Sequence, residues 1–218
     1  MRIDFDWTTI RDLDTRAVRL SVEQVDAVTT ADVDRPTPCT GWSVADLLGH
    51  LVAQHRGFAA AAAGRGDDPA PWTVPHLGDA AVEQYRAAAD EVLAAFAAVD
   101  APDRPFHLPE IAPTPFPAVL AIGFHTIDYL VHAWDVAAAL EREFTPDEAL
   151  VDALLPVVLA LPDGAERTAP GSPFAPGLPA RDDASPFARL LSALGRSPEW
   201  RPAAGARTPG QAQETRAR

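Results

Sequence analysis

The sequence contains no lysine and no asparagine, and it holds a single cysteine, Cys39. All 18 basic residues are therefore arginine, and 31 acidic residues outnumber them, which gives a formal net charge of −13. A field of that sign repels a polyanion such as DNA, and no basic stripe offsets it locally. We therefore expect no nucleic-acid partner.

Other absences narrow the class of protein further. A single cysteine excludes an intrachain disulfide. No apolar run approaches the ~20 residues that a membrane-spanning helix needs, and the stretch MRIDFDWTTI is too acidic and polar for a signal peptide. These features predict a cytoplasmic protein without membrane contact. Hydrophobic residues make up 47% of the 218 residues, enough for one large domain or for a domain with a smaller appendage.

Apolar residues recur at helical spacing in four long segments that proline-rich loops separate. These segments cover residues 8–30, 43–64, 79–100 and 117–140. Ser43 and Asp46 form a capping-box pattern at the second segment, and Asp79 is the expected N-cap of the third. Alternating strand patterns are lacking, although a short extended piece is expected near residues 106–108. The sequence therefore predicts an all-α four-helix bundle.

The C-terminal part of the chain follows a less regular pattern. The stretch TPDEALVDALLPVVLALP predicts a shorter helix that Pro156 should kink or split, and SPFARLLSALG predicts a last short helix that Gly195 closes. We expect residues 1–145 to form the bundle and residues 146–200 to form a helical extension packed on it. Residues 201–218 are polar and rich in Ala, Gly and Pro, which is typical of a disordered tail.

Four ionisable side chains interrupt the apolar run of the fourth helix, namely His125, Asp128, His132 and Asp135. On a helical wheel of about 100° per residue they fall within an arc of about 80°. Large apolar residues border this arc, whereas a solvated face would be wider and richer in Arg or Glu. The stripe is therefore expected to point into the bundle or into a cleft, where charges must be paired, hydrogen-bonded or bound to a metal.

Asp128 and His132 are four residues apart and can present a carboxylate oxygen and an imidazole nitrogen to one point. That spacing is typical of helical metal sites that take a third ligand from another helix. His50 on the second helix is the natural candidate, and His55 competes with it because it also falls on the apolar face. The alternative is a purely structural network of Asp–His hydrogen bonds in the core.

Three motifs resemble a known family. The stretch TPCTGWSVADLLGHLVAQH is similar to the first signature of the mycothiol-dependent maleylpyruvate isomerase N-terminal family, which belongs to the DinB-like four-helix-bundle superfamily. IDYLVHAWDVAAAL resembles its second signature, and FARLLSALGRSPEW resembles the C-terminal end of an actinobacterial, metal-binding subgroup. The resemblance covers about residues 10–200 and implies a DinB-like bundle with additional short C-terminal helices.

The family holds a metal ion by a His after the Gly-Trp turn and by a Glu and a His four residues apart. Carried over to matching positions, the resemblance implies His50, Asp128 and His132 as metal ligands, with Asp in place of Glu. Two imidazoles and one carboxylate suit Zn²⁺ or a similar divalent ion. Asp135 is expected to support an imidazole N–H, the alternative being a surface acid at a helix end. The roles of His125 and of His55 stay open.

The resemblance implies a small-molecule substrate and a function as a small-thiol isomerase or S-transferase, with mycothiol as co-substrate. In the family isomerase, the thiol adds to an unsaturated diacid and leaves after bond rotation. The alternative is a non-catalytic metal-binding or regulatory module of the same fold, because beyond the ligands no separate acid–base residue stands out. Cys39 is more typical of a small buried hydrophobe than of an activated thiol. DinB-like bundles often pair, so the resemblance also allows a homodimer.

Overall fold

The computed structural model describes residues 5–169 and 174–203, so the predicted tail lies outside the described residues from residue 204 onward. Four long helices form a bundle: α1 (Trp7–Val25), α2 (Val44–Ala62), α3 (Ala81–Ala97) and α4 (Ala118–Ala139). Two shorter helices follow, α5 (Glu148–Val158) and α6 (Pro186–Ala193). The prediction of an all-α four-helix bundle with short C-terminal helices is confirmed. None of the helices described in these two ranges is long and apolar enough to cross a membrane.

Side-chain caps fix where the helices begin. The Ser43 hydroxyl accepts from the backbone N of Asp46 at 3.2 Å, and the Asp46 carboxylate accepts from the backbone N of Ser43 at 2.9 Å. These two bonds form the predicted capping box at the start of α2. Asp6 caps α1 in a similar way, since its carboxylate accepts from the backbone N of Thr9 at 2.8 Å.

Two helices are shorter than predicted. α1 ends at Val25 rather than near residue 30, and beyond it the Asp32 carboxylate accepts from the backbone N and the hydroxyl of Thr29. These local bonds compete with continued helix. The expected cap of α3 was also wrong, because Asp79 lies in a short 3-10 turn and α3 begins at Ala81 without a side-chain cap.

Proline and glycine have mostly local effects in the C-terminal half. Pro156 does not split α5, because it lies in the last turn, where its missing N–H removes a single helical bond. Gly195 closes α6 as predicted; its φ of 76° is left-handed, and a Cβ there would lie 2.6 Å from the Cβ of Ala175. A minimal antiparallel hairpin, β1 (Pro105–Phe106) with β2 (Phe116–Pro117), precedes α4.

The packing of the long helices is uneven. α1 packs along α4 and α2 packs along α3, whereas α2 and α4 meet over a shorter stretch that we call the α2–α4 seam. The seam comprises residues 50–58 of α2 and residues 125–132 of α4. Three residues of the polar stripe predicted on the fourth helix, His125, Asp128 and His132, therefore lie in this seam.

The C-terminal helices bring one charged residue back to the bundle. α5 and α6 pack on each other, and α5 also touches α1. Just after α6, Arg196 places its Nε 3.2 Å from Oδ1 of Asp135 on α4. The predicted extension therefore contributes a side chain to the bundle, while the domain boundary at residue 145 stays a prediction.

Candidate metal centre

The α2–α4 seam brings together the three side chains that the sequence predicted as metal ligands. One nitrogen or oxygen each of His50, Asp128 and His132 lies within 4.8 Å of the other two. Nε2 of His132 is 3.3 Å from Oδ1 of Asp128, and the rings of His50 and His132 meet edge-on with centroids 5.5 Å apart. The shorter arm of Asp128 therefore reaches the ring of His132 directly, without a longer Glu.

This cluster has the chemistry and the dimensions of a divalent-metal site. Tetrahedral ligands about 2.1 Å from a Zn²⁺ ion lie roughly 3.4 Å from one another, so only small movements would close the cluster on an ion. His132 is buried, whereas His50 and Asp128 are partly exposed, so the cluster opens to solvent on one side. The ring of Trp42, itself 37% exposed, packs against His50 with centroids 4.9 Å apart. The open side of the cluster therefore faces solvent beside the Trp42 ring.

Asp135 sets the orientation of the His132 ring. Its side chain is fully buried rather than at the surface, and its Oδ2 accepts from Nδ1 of His132 at 2.8 Å. That bond holds a proton on Nδ1 and directs Nε2 toward Asp128. Arg196 lies 3.2–3.3 Å from both carboxylate oxygens and balances the buried charge of Asp135.

A second group of possible ligands shares His132. Sγ of Cys39 lies 3.2 Å from Oδ2 of Asp135 and 4.0 Å from Nδ1 of His132. Nη2 of Arg196, however, is 3.3 Å from the same sulfur, so a guanidinium already supplies positive charge there. A metal ion beside it would be repelled. The geometry therefore favours the Nε2 side of His132 for a metal.

Burial and charge act against each other in this cluster. Burial lowers the pKa of His50 to about 4, with the nearby Asp128 charge only partly opposing it. Burial alone would raise the pKa of Asp128, but the charge and hydrogen bond of His132 outweigh it and lower that pKa to about 2. Burial would likewise lower the pKa of His132, but Asp128 raises it well above its ordinary value. Without metal, Asp128 and His132 form an ion pair beside a neutral His50.

The two histidines with open roles lie in a separate chain of contacts. Both His125 and His55 are fully buried. Nδ1 of His125 is 2.7 Å from Oδ1 of Asp14 on α1, and its Nε2 is 3.2 Å from Nδ1 of His55 on α2. We call His50, Asp128 and His132 the open cluster. Its third candidate ligand is therefore His50, and the competing candidate His55 lies apart from it.

Two charged residues that complete these clusters escaped the sequence analysis. Asp14 lies between the apolar residues Leu13 and Ala17 of α1. An acidic residue on the apolar face of a helix needs a buried partner, and that position was the signal in the sequence. Arg196 stands within the C-terminal motif but carries no spacing that links it to α4. Its contact with Asp135 joins residues 61 positions apart, which no local pattern reveals.

Comparison with known proteins places the chain in a family. Residues 15–137 match the family described as the mycothiol maleylpyruvate isomerase N-terminal domain. The chain belongs to this family. Two uncharacterized proteins of Mycobacterium tuberculosis, from two strains, are each 34% identical to the chain over 164 residues, which covers 74% of this chain and 84% of the relative.

A solved structure supports the same assignment at the level of fold. The crystal structure of the mycothiol-dependent maleylpyruvate isomerase matches 90% of this chain and 92% of its own, with a TM-score of 0.62 at 15% sequence identity. The fold is thus the DinB-like bundle that the motifs predicted. The family match includes His50, Asp128, His132 and Asp135 and ends at residue 137, in the last turn of α4.

Proposed function

We propose that this chain is a divalent-metal-dependent member of the family that uses a small thiol, as an isomerase or S-transferase. The observation that carries the proposal is the convergence of His50, Asp128 and His132 on the open side of the seam. Zn²⁺ is the proposed ion because two imidazoles and one carboxylate suit it. Mycothiol is the proposed thiol because the family and the structural neighbour are both named for it.

The side chains of the site have separate roles in this proposal. His50, Asp128 and His132 would hold the ion, and a divalent ion so placed lowers the pKa of a bound thiol or water and polarises a carbonyl. Asp135 holds a proton of His132 on Nδ1, so that the lone pair of Nε2 can bind the ion. The partly exposed ring of Trp42 borders the open side and offers an apolar surface to a small-molecule substrate.

Metal analysis of untagged protein tests the proposal. After reconstitution with Zn²⁺ and gel filtration, the wild type should retain a stoichiometric amount of the ion, and Asp128→Ala and His132→Ala should lose it. His76→Ala is the matched control, because His76 lies in an exposed loop. Thiol-dependent turnover of unsaturated diacids is then assayed with the loaded protein. A wild type that retains no divalent ion after reconstitution would contradict the proposal.

A second candidate is a metal-binding or regulatory module without catalysis. It is favoured by the state of Asp135, the carboxylate behind the cluster, which is tied to Arg196 and His132 and so is not free to exchange protons with a substrate. Thermal shifts with a panel of thiols and carboxylates separate the two candidates. Stabilisation by Zn²⁺ together with mycothiol supports the enzyme, whereas stabilisation by Zn²⁺ and by no thiol supports the module.

A further inference from the structure

We infer that Asp14, His125, His55 and Tyr129 form a brace that holds α2 against α4 and thereby sets the spacing of the metal ligands. These four are positioning residues and not ligands. The inference rests on the metal-binding function proposed above and assigns a role to the buried histidines that the site itself does not use.

The need for a brace follows from how the helices pack. His50 is carried by α2, whereas Asp128 and His132 are carried by α4. Each of these helices packs mainly on a different neighbour, α2 on α3 and α4 on α1, and the two meet over a shorter stretch. The separation of His50 from the other two ligands therefore depends on the contacts that cross the seam.

Two hydrogen bonds and one ring stack cross the seam beside the ligands. The Tyr129 hydroxyl donates to the backbone carbonyl of Leu51 at 2.5 Å, and Nδ1 of His55 lies 3.2 Å from Nε2 of His125. The rings of His55 and Tyr129 stack with centroids 3.9 Å apart and planes 13° from parallel. Each contact joins one helix that carries ligands to the other.

The positions of these contacts along the chain link them to the ligands. Leu51 directly follows His50, and Tyr129 directly follows Asp128. The bond between Tyr129 and Leu51 therefore ties the backbone next to one ligand to the side chain next to another. Because each end of the bond is one residue away from a ligand, losing the bond should change the distance between His50 and Asp128.

Asp14 fixes the brace to a third helix. Its Oδ1 accepts from Nδ1 of His125 at 2.7 Å and from the Thr126 hydroxyl at 3.2 Å. With the His125 proton held on Nδ1, its Nε2 is the acceptor for the N–H of His55. Burial lowers the pKa of His55 well below its ordinary value, so the ring is neutral and carries one proton for this bond. The donor and the acceptor of each hydrogen bond from Asp14 through His125 to His55 are therefore fixed.

The test compares two properties in the same variants. Zn²⁺ affinity is measured by competition with a chromophoric chelator, and the stability of the metal-free protein is measured by urea unfolding. Tyr129→Phe removes only the bond to Leu51 and keeps the ring stack, and His55→Leu removes the bond to His125. His55→Asn is the conservative variant, because its side-chain amide can still donate to His125.

The matched control changes a hydrogen bond that does not cross the seam. Ser21→Ala removes a buried hydrogen bond of 2.7 Å between Ser21 and Tyr85, which joins α1 to α3. It leaves the Tyr85 ring in its contact with His55, where the ring centroids are 5.3 Å apart. We expect Tyr129→Phe and His55→Leu to weaken Zn²⁺ binding about 10-fold, the lower end of the effect of residues that support metal ligands. His55→Asn should recover part of that loss. Ser21→Ala should lose stability and keep the wild-type affinity.

The outcomes separate the brace from the proposed function. If Tyr129→Phe and His55→Leu lose stability yet bind Zn²⁺ as the wild type does, the brace is overturned and the proposed function stands. A wild type that binds no Zn²⁺ overturns both. Should His55→Leu fail to fold, Tyr129→Phe decides the question, since it removes one oxygen atom and leaves the packing of the ring in place.

Discussion

The polar stripe on α4 contributes residues to two clusters that are built from histidine and aspartate. The sealed cluster contains Asp14, His125 and His55, and the open cluster contains His50, Asp128 and His132. In the sealed cluster, both ring nitrogens of His125 face internal partners, Asp14 on one side and His55 on the other. In the open cluster, Nδ1 of His132 is held by Asp135 while Nε2 points toward Asp128 and the partly exposed side of the seam. A buried histidine whose two nitrogens are both satisfied inside the protein is structural, whereas one with a nitrogen at an open side can bind an ion.

The largest effect should come from removing the shared histidine of the open cluster. His132→Ala deletes a ligand and leaves Asp128 and Asp135 close together without the charge between them. We expect Zn²⁺ binding to fall below detection by isothermal titration calorimetry. His125→Leu in the sealed cluster should still bind Zn²⁺ measurably. An equal loss of Zn²⁺ affinity in His132→Ala and His125→Leu would show that the two clusters do not differ in metal binding.

Removing the central histidine of the sealed cluster should mainly change stability. His125→Leu leaves the buried carboxylate of Asp14 without its imidazole partner, and breaking a buried pair costs about 3–5 kcal/mol. Urea unfolding of the metal-free protein measures the loss in the free energy of unfolding. Asp14→Leu combined with His125→Leu should recover much of it, because no unpaired charge remains. A single variant as stable as the wild type would contradict the structural role.

The residue behind the open cluster should have an intermediate effect. Asp135→Asn keeps the shape of the side chain but weakens its hold on the His132 proton, so Zn²⁺ affinity should fall about 10- to 100-fold. Competition with a chromophoric chelator measures the change. Asp152→Asn on α5 is the control, because that carboxylate is exposed. Unchanged affinity in Asp135→Asn would mean that the orientation of His132 does not depend on this bond.

The smallest effect concerns pH and belongs to the sealed cluster. Burial lowers the pKa of His55 well below its ordinary 6.5. Below about pH 6.5 the unfolded chain therefore binds a proton that the folded protein does not, and stability falls as the pH falls. His125, Tyr85 and Tyr129 are the titratable groups that face this ring.

His55→Asn should reduce that pH dependence in the metal-free protein. Because the variant lacks the titrating ring, its stability should fall less steeply between pH 6.5 and pH 5, by up to about 1.4 kcal/mol per pH unit. Urea unfolding at several pH values measures the two slopes. Identical slopes for the variant and the wild type would show that His55 titrates alike in the folded and unfolded chains.

Local signals explain the parts of the fold that the sequence predicted well. The apolar run of α4 is unbroken, and the predicted residues 117–140 differ from the observed Ala118–Ala139 by one residue at each end. The capping box of Ser43 and Asp46 also depends only on neighbours. The end of α1 was missed because bonds between Thr29 and Asp32 compete with a helical pattern that the apolar residues continue.

The division of the α4 stripe into two clusters was not visible in the sequence. A helical wheel places His125 and His132 only about 20° apart, but seven residues separate them by about 10 Å along the helix axis. The wheel discards that distance, so it shows one face where the structure has two environments. The partners that distinguish these environments are Asp14 and Arg196, which tertiary packing brings to α4 from 111 and 61 positions away in the sequence.

The contact between Arg196 and Asp135 has a practical consequence for anyone who expresses part of this protein. The family match begins at residue 15 and ends at residue 137, so a fragment cut to that match would omit both Asp14 and Arg196. Such a fragment would keep every proposed ligand, yet Asp135 would lose its counter-ion and His125 its carboxylate. A fragment that keeps both contacts therefore extends from before α1 to beyond α6. Weak metal binding by a shorter fragment would reflect the loss of these supports and not the choice of ligands.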